Sequence, residues 1–196
     1  MRVNPGNGLL DLARYVASPN ADARPSGSVA ELIVVHGISL PPGEFGGPWI
    51  DALFTNRLAP DAHPYFAEIC HLKVSAHVLI RRDGEVVQYV PFHRRAWHAG
   101  ASTYCGRARC NDFSIGIELE GTDDLEYEAM QYAQLASLVR ALVQAYPALS
   151  TDRLVGHADI TPGRKSDPGA SFDWPRLSRL LGEHRARFSS DDSTHG

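Results

Sequence analysis

Leu32-Ile33-Val34-Val35-His36-Gly37 is the stretch on which the reading of the fold turns. An apolar, largely β-branched run flanked by polar and turn residues predicts a short buried strand. That strand hands over to an imidazole and a glycine, so His36 stands at its end. The following ISLPPGEFGGP, residues 38–48, is a proline- and glycine-rich loop able to lie over a cleft, a candidate lid. WIDALFTNRL, beginning at Trp49, predicts a short helix. Upstream, GLLDLARYVA at residues 8–17 spaces its apolar groups at helical intervals, and SPNADARPSGS then breaks the pattern.

Further along, AHVLIRRDGEVVQYVPF at 76–92 holds two strand-like segments around Asp83-Gly84, a favoured tight-turn dipeptide. In DFSIGIELE, residues 112–120, Ile115, Ile117 and Leu119 alternate with Ser114, Gly116, Glu118 and Glu120, which predicts a strand with two unlike faces. A long helix is expected over 126–146, ended by Tyr146-Pro147, and a second strand-to-loop junction at Leu154-Val155-Gly156-His157. PGRKSDPG at 162–169 reads as a loop, 174–188 as a final helix and 189–196 as a disordered tail. Strands interleaved with helices, with no repeat and no break in composition, predict one α/β or α+β domain over 1–188.

The 196 residues fit a single core, which typically takes about 100–200. A formal charge of −4 gives no global attraction for nucleic acid or acidic membranes, and no partner of either kind is expected. No apolar stretch approaches the roughly 18 residues of a membrane span. The opening MRVNPGNG has no apolar run of the kind a secretory signal carries. Cys70, Cys105 and Cys110 are odd in number and form no CxxC pair; reduced thiols are expected, with a Cys105–Cys110 bridge as the alternative. Together these features predict a soluble cytoplasmic protein.

Nine histidines invite a metal, although HExxH and cysteine-rich zinc spacings are absent. Position singles out two of them, since His36 and His157 each follow an apolar strand. Asp167 lies ten residues beyond His157 in a loop punctuated by Pro-Gly pairs. Two imidazoles and a carboxylate would leave a tetrahedral zinc one open position, the pattern of a catalytic site. Such an ion lowers the pKa of coordinated water to about 7. Taken on spacing alone, surface or core histidines remain an alternative. Glu118 stands opposite Ile117 and Leu119 on its strand, so it either faces a cleft or is a solvated carboxylate; Lys165 alone reads as a surface charge.

Residues 34–54, 74–100, 110–123 and 156–169 together resemble the AmpD-type N-acetylmuramoyl-L-alanine amidases, in chain order, across about residues 9–181. The resemblance implies a mixed central sheet flanked by helices, as in peptidoglycan recognition proteins and phage amidase lysozymes. It also implies one zinc ion per chain on His36, His157 and Asp167, with Glu118 as the catalytic acid/base residue and Lys165 as oxyanion stabiliser. The implied reaction is zinc-assisted hydrolysis of the amide between the lactyl group of (1,6-anhydro-)N-acetylmuramic acid and L-alanine. The implied substrate is a 1,6-anhydro-N-acetylmuramoyl-tripeptide or a relative of it, met by a monomer in cytoplasmic cell-wall recycling. Where a β-lactamase induction circuit exists, removing that substrate would restrain it.

Trp97, Lys73 and Arg109 resemble the family's substrate-binding positions. Two departures stand out. Gly37 follows the first zinc histidine where relatives often have Asn. Lys73 replaces a frequent Arg, keeping the charge but losing the bidentate fork. His63, His71, His77, His93 and His98 carry no assignment, His98 being the first candidate for one. Two rivals follow from the same pattern: a muropeptide-binding module without turnover, and an amidase acting on intact murein outside the cytoplasm.

Overall fold

The structure, a computed structural model, describes residues 1–182. The β-branched run beginning at Leu32 forms the second strand of a six-stranded sheet: β1 (Arg14–Tyr15), β2 (Leu32–Ile38), β3 (Val78–Ile80), β4 (Val86–Gln88), β5 (Ser114–Glu120) and β6 (Leu154–Gly156). Their order is β6-β2-β5-β3-β4-β1, with β3 and β4 antiparallel and the other neighbours parallel. The sheet is therefore mixed, as expected. β2 runs on past the expected strand end, carrying His36 within the strand.

Both faces of the sheet are covered, which is why β2 and β5 lack exposed positions along most of their length. Ile33 and Val35 of β2, with Ile115, Ile117 and Leu119 of β5, pack under α3 (Ala129–Ala145) against Leu135, Leu138, Val139 and Leu142. The opposite face of β3 and β4 meets α1 (Trp49–Phe54) and α2 (Pro64–Ile69) through Leu79, Val87, Ile50, Phe54 and Phe66. Gln131 pins α3 to the strand ends, its buried amide donating to the carbonyls of Ile80 and Glu120 at 3.1 and 3.0 Å.

Residues 8–17 correct the expected helix. Leu9–Leu10 pairs antiparallel with Val3–Asn4, and Arg14–Tyr15 is the sheet's edge strand beside β4. The apolar residues there do not share one buried face: Leu10 is in the core, while Leu12 is 74% exposed. Instead Gln88 captures the backbone: its Oε1 accepts from Leu10 N–H at 2.8 Å and its carbonyl from Val16 N–H at 2.9 Å. The final helix α5 (Trp174–Leu181) stops at Gly182, whose φ of 81° is the left-handed conformation that ends helices. The remainder of the expected helix, 183–188, and the tail, 189–196, lie outside the described residues. Cys70, Cys105 and Cys110 each carry a free thiol. Among the described residues no helix is long and apolar enough to cross a membrane.

Candidate functional site

Strand register assembles the site. Across the parallel β2–β5 pair Glu118 stands opposite His36, and across β2–β6 Gly156 stands opposite Val35. His157, the next residue, opens α4 (His157–Ile160) level with His36. Three neighbouring parallel strands thus deliver His157, His36 and Glu118 to one level near their carboxyl ends, where open α/β sheets bind ligands. Asp167 comes from the loop after α4. Its carbonyl accepts from Ala158 N–H at 3.0 Å, and the adjoining Pro168 carbonyl accepts from the Tyr127 hydroxyl at 2.9 Å. The same hydroxyl packs against Gly37, where a Cβ would stand 2.4 Å from Tyr127 Oη.

His36, His157 and Asp167 converge with their ligand atoms within 4.8 Å of one another. His36 Nδ1 lies 3.2 Å from Asp167 Oδ2, and His157 Nδ1 lies 3.1 Å from both carboxylate oxygens. Ligands held at about 2.0–2.1 Å around a tetrahedral zinc stand roughly 3.3 Å apart, so the donor set and its spacing fit that ion. Burial pushes His36 down to about 4, against the opposing hydrogen bond to Asp167. Burial pushes Asp167 up, but the hydrogen bonds with His157 and His36 outweigh it and hold the carboxyl below its ordinary range. An uncharged His36 beside an ionised carboxylate is the protonation that a divalent cation requires of its ligands.

Glu118 is 8% exposed, and its Oε2 has no hydrogen-bond partner among the described residues. Burial, reinforced by the nearby charge of Asp167, raises its pKa well above the ordinary value, while Lys165 pulls it back. A buried carboxyl that holds its proton more tightly than usual is the kind of group general acid–base chemistry uses.

These groups line a cavity of about 500 Å³. Its wall also includes Lys165, Lys73 and Trp97, with Leu53, Phe54, Ile69, Leu72 and Val74 forming an apolar side. Trp97 is half-buried, with its indole N–H 3.3 Å from Asp22 Oδ1. Arg109 is outside this lining; its exposed guanidinium sits 3.1 Å from Asp112 in a residue with φ of 65°. Of the candidate lid, Ile38, Ser39 and Leu40 line the cavity. Its far end is tied down, Gly46 N–H to Glu120 Oε1 at 2.8 Å and Gly47 carbonyl to Arg81 at 3.1 Å. Two residues without an assignment belong to the site: His98, 2.9 Å from His36, and Tyr127. His98 was already the first candidate among the unassigned histidines, while Tyr127 meets its partner, the Pro168 carbonyl, only through the tertiary fold.

The sequence pattern of the family described as N-acetylmuramoyl-L-alanine amidase matches residues 26–170. The chain is 65% identical over 177 residues to the 1,6-anhydro-N-acetylmuramyl-L-alanine amidase AmpD of Salmonella typhimurium, covering 90% of this chain and 94% of that one. It is 64% identical over 174 residues to the AmpD of Escherichia coli K12, covering 89% and 94%. A crystal structure of a selenomethionine AmpD derivative superposes with a TM-score of 0.89 at 62% identity, covering 92% of this chain and 99% of that one. At 28% identity and a TM-score of 0.56, the fold also matches Escherichia coli AmiD in complex with the substrate anhydro-N-acetylmuramic acid-L-Ala-D-γ-Glu-L-Lys, over 84% of this chain and 58% of that one.

Proposed function

The chain belongs to the N-acetylmuramoyl-L-alanine amidase family, and from that premise we propose that it hydrolyses the lactyl–L-alanine amide of 1,6-anhydro-N-acetylmuramoyl peptides, with one zinc ion on His36, His157 and Asp167. One observation carries the reading: three ligand groups and a buried carboxyl, Glu118, with one oxygen unpartnered among the described residues, meet in one cavity. When bound, zinc supplies a Lewis acid that polarises the scissile carbonyl and makes water nucleophilic at neutral pH.

Glu118 takes the proton of the attacking water and returns it to the alanine nitrogen as the C–N bond breaks. Its raised pKa suits the first half of that transfer, because a strongly acidic carboxyl would be a poor base toward the water. Lys165, on the cavity wall, offers its ammonium to the carbonyl oxygen as negative charge develops there. The apolar side of the cavity and Trp97 suit the sugar's hydrophobic surface, and Lys73 suits a stem-peptide carboxylate. Arg109 would have to leave Asp112 to share that task, so Lys73 is the first choice. The AmpD relatives act on anhydro-muropeptides, which supports a role in cytoplasmic recycling.

The test is mass spectrometry of products from anhydro-muramoyl-tripeptide and muramoyl-tripeptide, each with and without a zinc chelator. Zinc-dependent release of free tripeptide, faster from the anhydro sugar, is expected. Equal rates would keep the amidase and remove the recycling assignment. Binding without cleavage in the zinc-loaded chain would leave a muropeptide-binding module instead.

A further inference from the structure

The ligand histidines each present Nδ1 to Asp167, so the outer nitrogen of each ring, Nε2, points the other way. Both outer nitrogens meet the same short segment. His36 Nε2 lies 2.9 Å from His98 Nδ1, and His157 Nε2 lies 3.3 Å from the Ala99 carbonyl. Asn111 holds this segment, its Oδ1 accepting from His98 N–H at 3.1 Å and Ala99 N–H at 2.8 Å. His98 then continues through its own Nε2 to Ser114 Oγ at 3.1 Å. The sheet is hollowed to admit the ring: a Cβ on Gly116 would stand 2.4–2.6 Å from three atoms of the His98 imidazole. Glycine at that position of β5 is what lets the ring reach His36.

We propose that His98 is a positioning residue for the metal centre: by accepting the Nε2 proton of His36, it selects the tautomer whose Nδ1 lone pair faces the ion. The inference rests on the zinc reading above. A neutral imidazole carries one ring proton, so placing it on Nε2 leaves Nδ1 free to bind. Ala99 does the same for His157 through a backbone carbonyl. His98 must then carry its own proton on Nε2 and donate it to Ser114 Oγ, a hydroxyl that can rotate to accept. If the chain ran the other way, His36 Nδ1 would hold a proton and donate it to Asp167, which closes that nitrogen to a metal. Ser114, His98 and His36 thus form a hydrogen-bonded row whose direction decides whether the third ligand position is open. Outer partners of this kind typically change metal affinity about 10–100-fold when removed.

The experiment pairs zinc affinity, read by competition with a chelating dye, with ¹⁵N NMR of the histidine rings in the zinc-loaded wild-type chain. His98→Leu keeps much of the bulk but no acceptor, and zinc should bind about 10–100-fold more weakly. His98→Asn puts Oδ1 where Nδ1 was, and affinity should return to within about threefold of wild type. In the NMR spectrum His36 should be protonated at Nε2 and metal-bound at Nδ1, a readout that needs no variant to fold. Unchanged affinity in a folded His98→Leu chain, or His36 bound through Nε2, would overturn the inference while leaving the zinc reading standing. A wild-type chain that binds no zinc would overturn both.

Discussion

Glu118 and Glu120 stand two residues apart on the same face of the same strand, yet their surroundings are opposite. Glu120, 2% exposed, accepts from Gly46 N–H at 2.8 Å, Arg81 Nη1 at 3.2 Å and Arg82 N–H at 3.2 Å. Arg81 is in turn shared with Glu85 at 3.1 Å and Asp51 at 3.5 Å. Arg14 closes the group with contacts of 2.9 Å to Asp51 and 2.7 Å to Glu85, and the Tyr89 hydroxyl donates to Asp51. Glu118 is buried to a similar degree but has an oxygen without a partner among the described residues, and a pKa raised by burial. One strand therefore carries a satisfied carboxylate that anchors a loop and an unsatisfied one that faces the cleft. Buried polar groups are normally paired, so the exception marks where chemistry takes precedence over stability.

The largest expected break in that comparison is Glu120→Ala. It would leave Arg81 and two backbone N–H groups with a lost partner, and removing one member of a buried ion pair costs about 3–5 kcal/mol. Urea unfolding should register the loss, while turnover per folded molecule stays within about threefold of wild type, since Glu120 reaches the cleft only through the loop it ties. A loss of turnover with stability intact would mean that the two carboxylates do not divide the work in this way.

Glu118→Gln sharpens the contrast by a smaller step. A carboxyl whose folded pKa exceeds its unfolded value holds its proton more tightly when folded, so it adds stability below the unfolded value and loses it as pH rises through the folded one. Glutamine is neutral throughout. The zinc-free Glu118→Gln chain should therefore match wild type near pH 4 and exceed it by about 0.5–2 kcal/mol at pH 7, the usual gain when a functional strain is relieved. A variant less stable than wild type at pH 7 would show that Glu118 is satisfied after all.

Much of this arrangement was legible in the sequence because local rules and tertiary structure agree there. Asp83-Gly84 does join two antiparallel strands, and the alternation in 114–120 does separate an apolar face from a polar one. His36 and His157 were visible because each follows a short apolar run, although His36 lies within its strand and not beyond it. Where the partner is remote, the pattern misled or was silent. Gln88, 78 residues from Leu10, helps hold residues 8–17 as two short strands joined by a turn, against their helical spacing. Arg24 lies in a stretch read as a simple break, yet its guanidinium bonds the carbonyls of Phe92, Asn111, Asp112 and Ser114. The same remoteness left His98 without a role, although it was the first candidate among the unassigned histidines: its partner His36 is 62 residues away.

The most direct test of Glu118 as the proton carrier is to measure bound zinc and turnover in one preparation of Glu118→Ala. One zinc per chain, with turnover of the anhydro-muramoyl-tripeptide reduced about 10²–10⁴-fold, is the expected result. Turnover close to wild type with zinc in place would contradict it and remove Glu118 from the reaction.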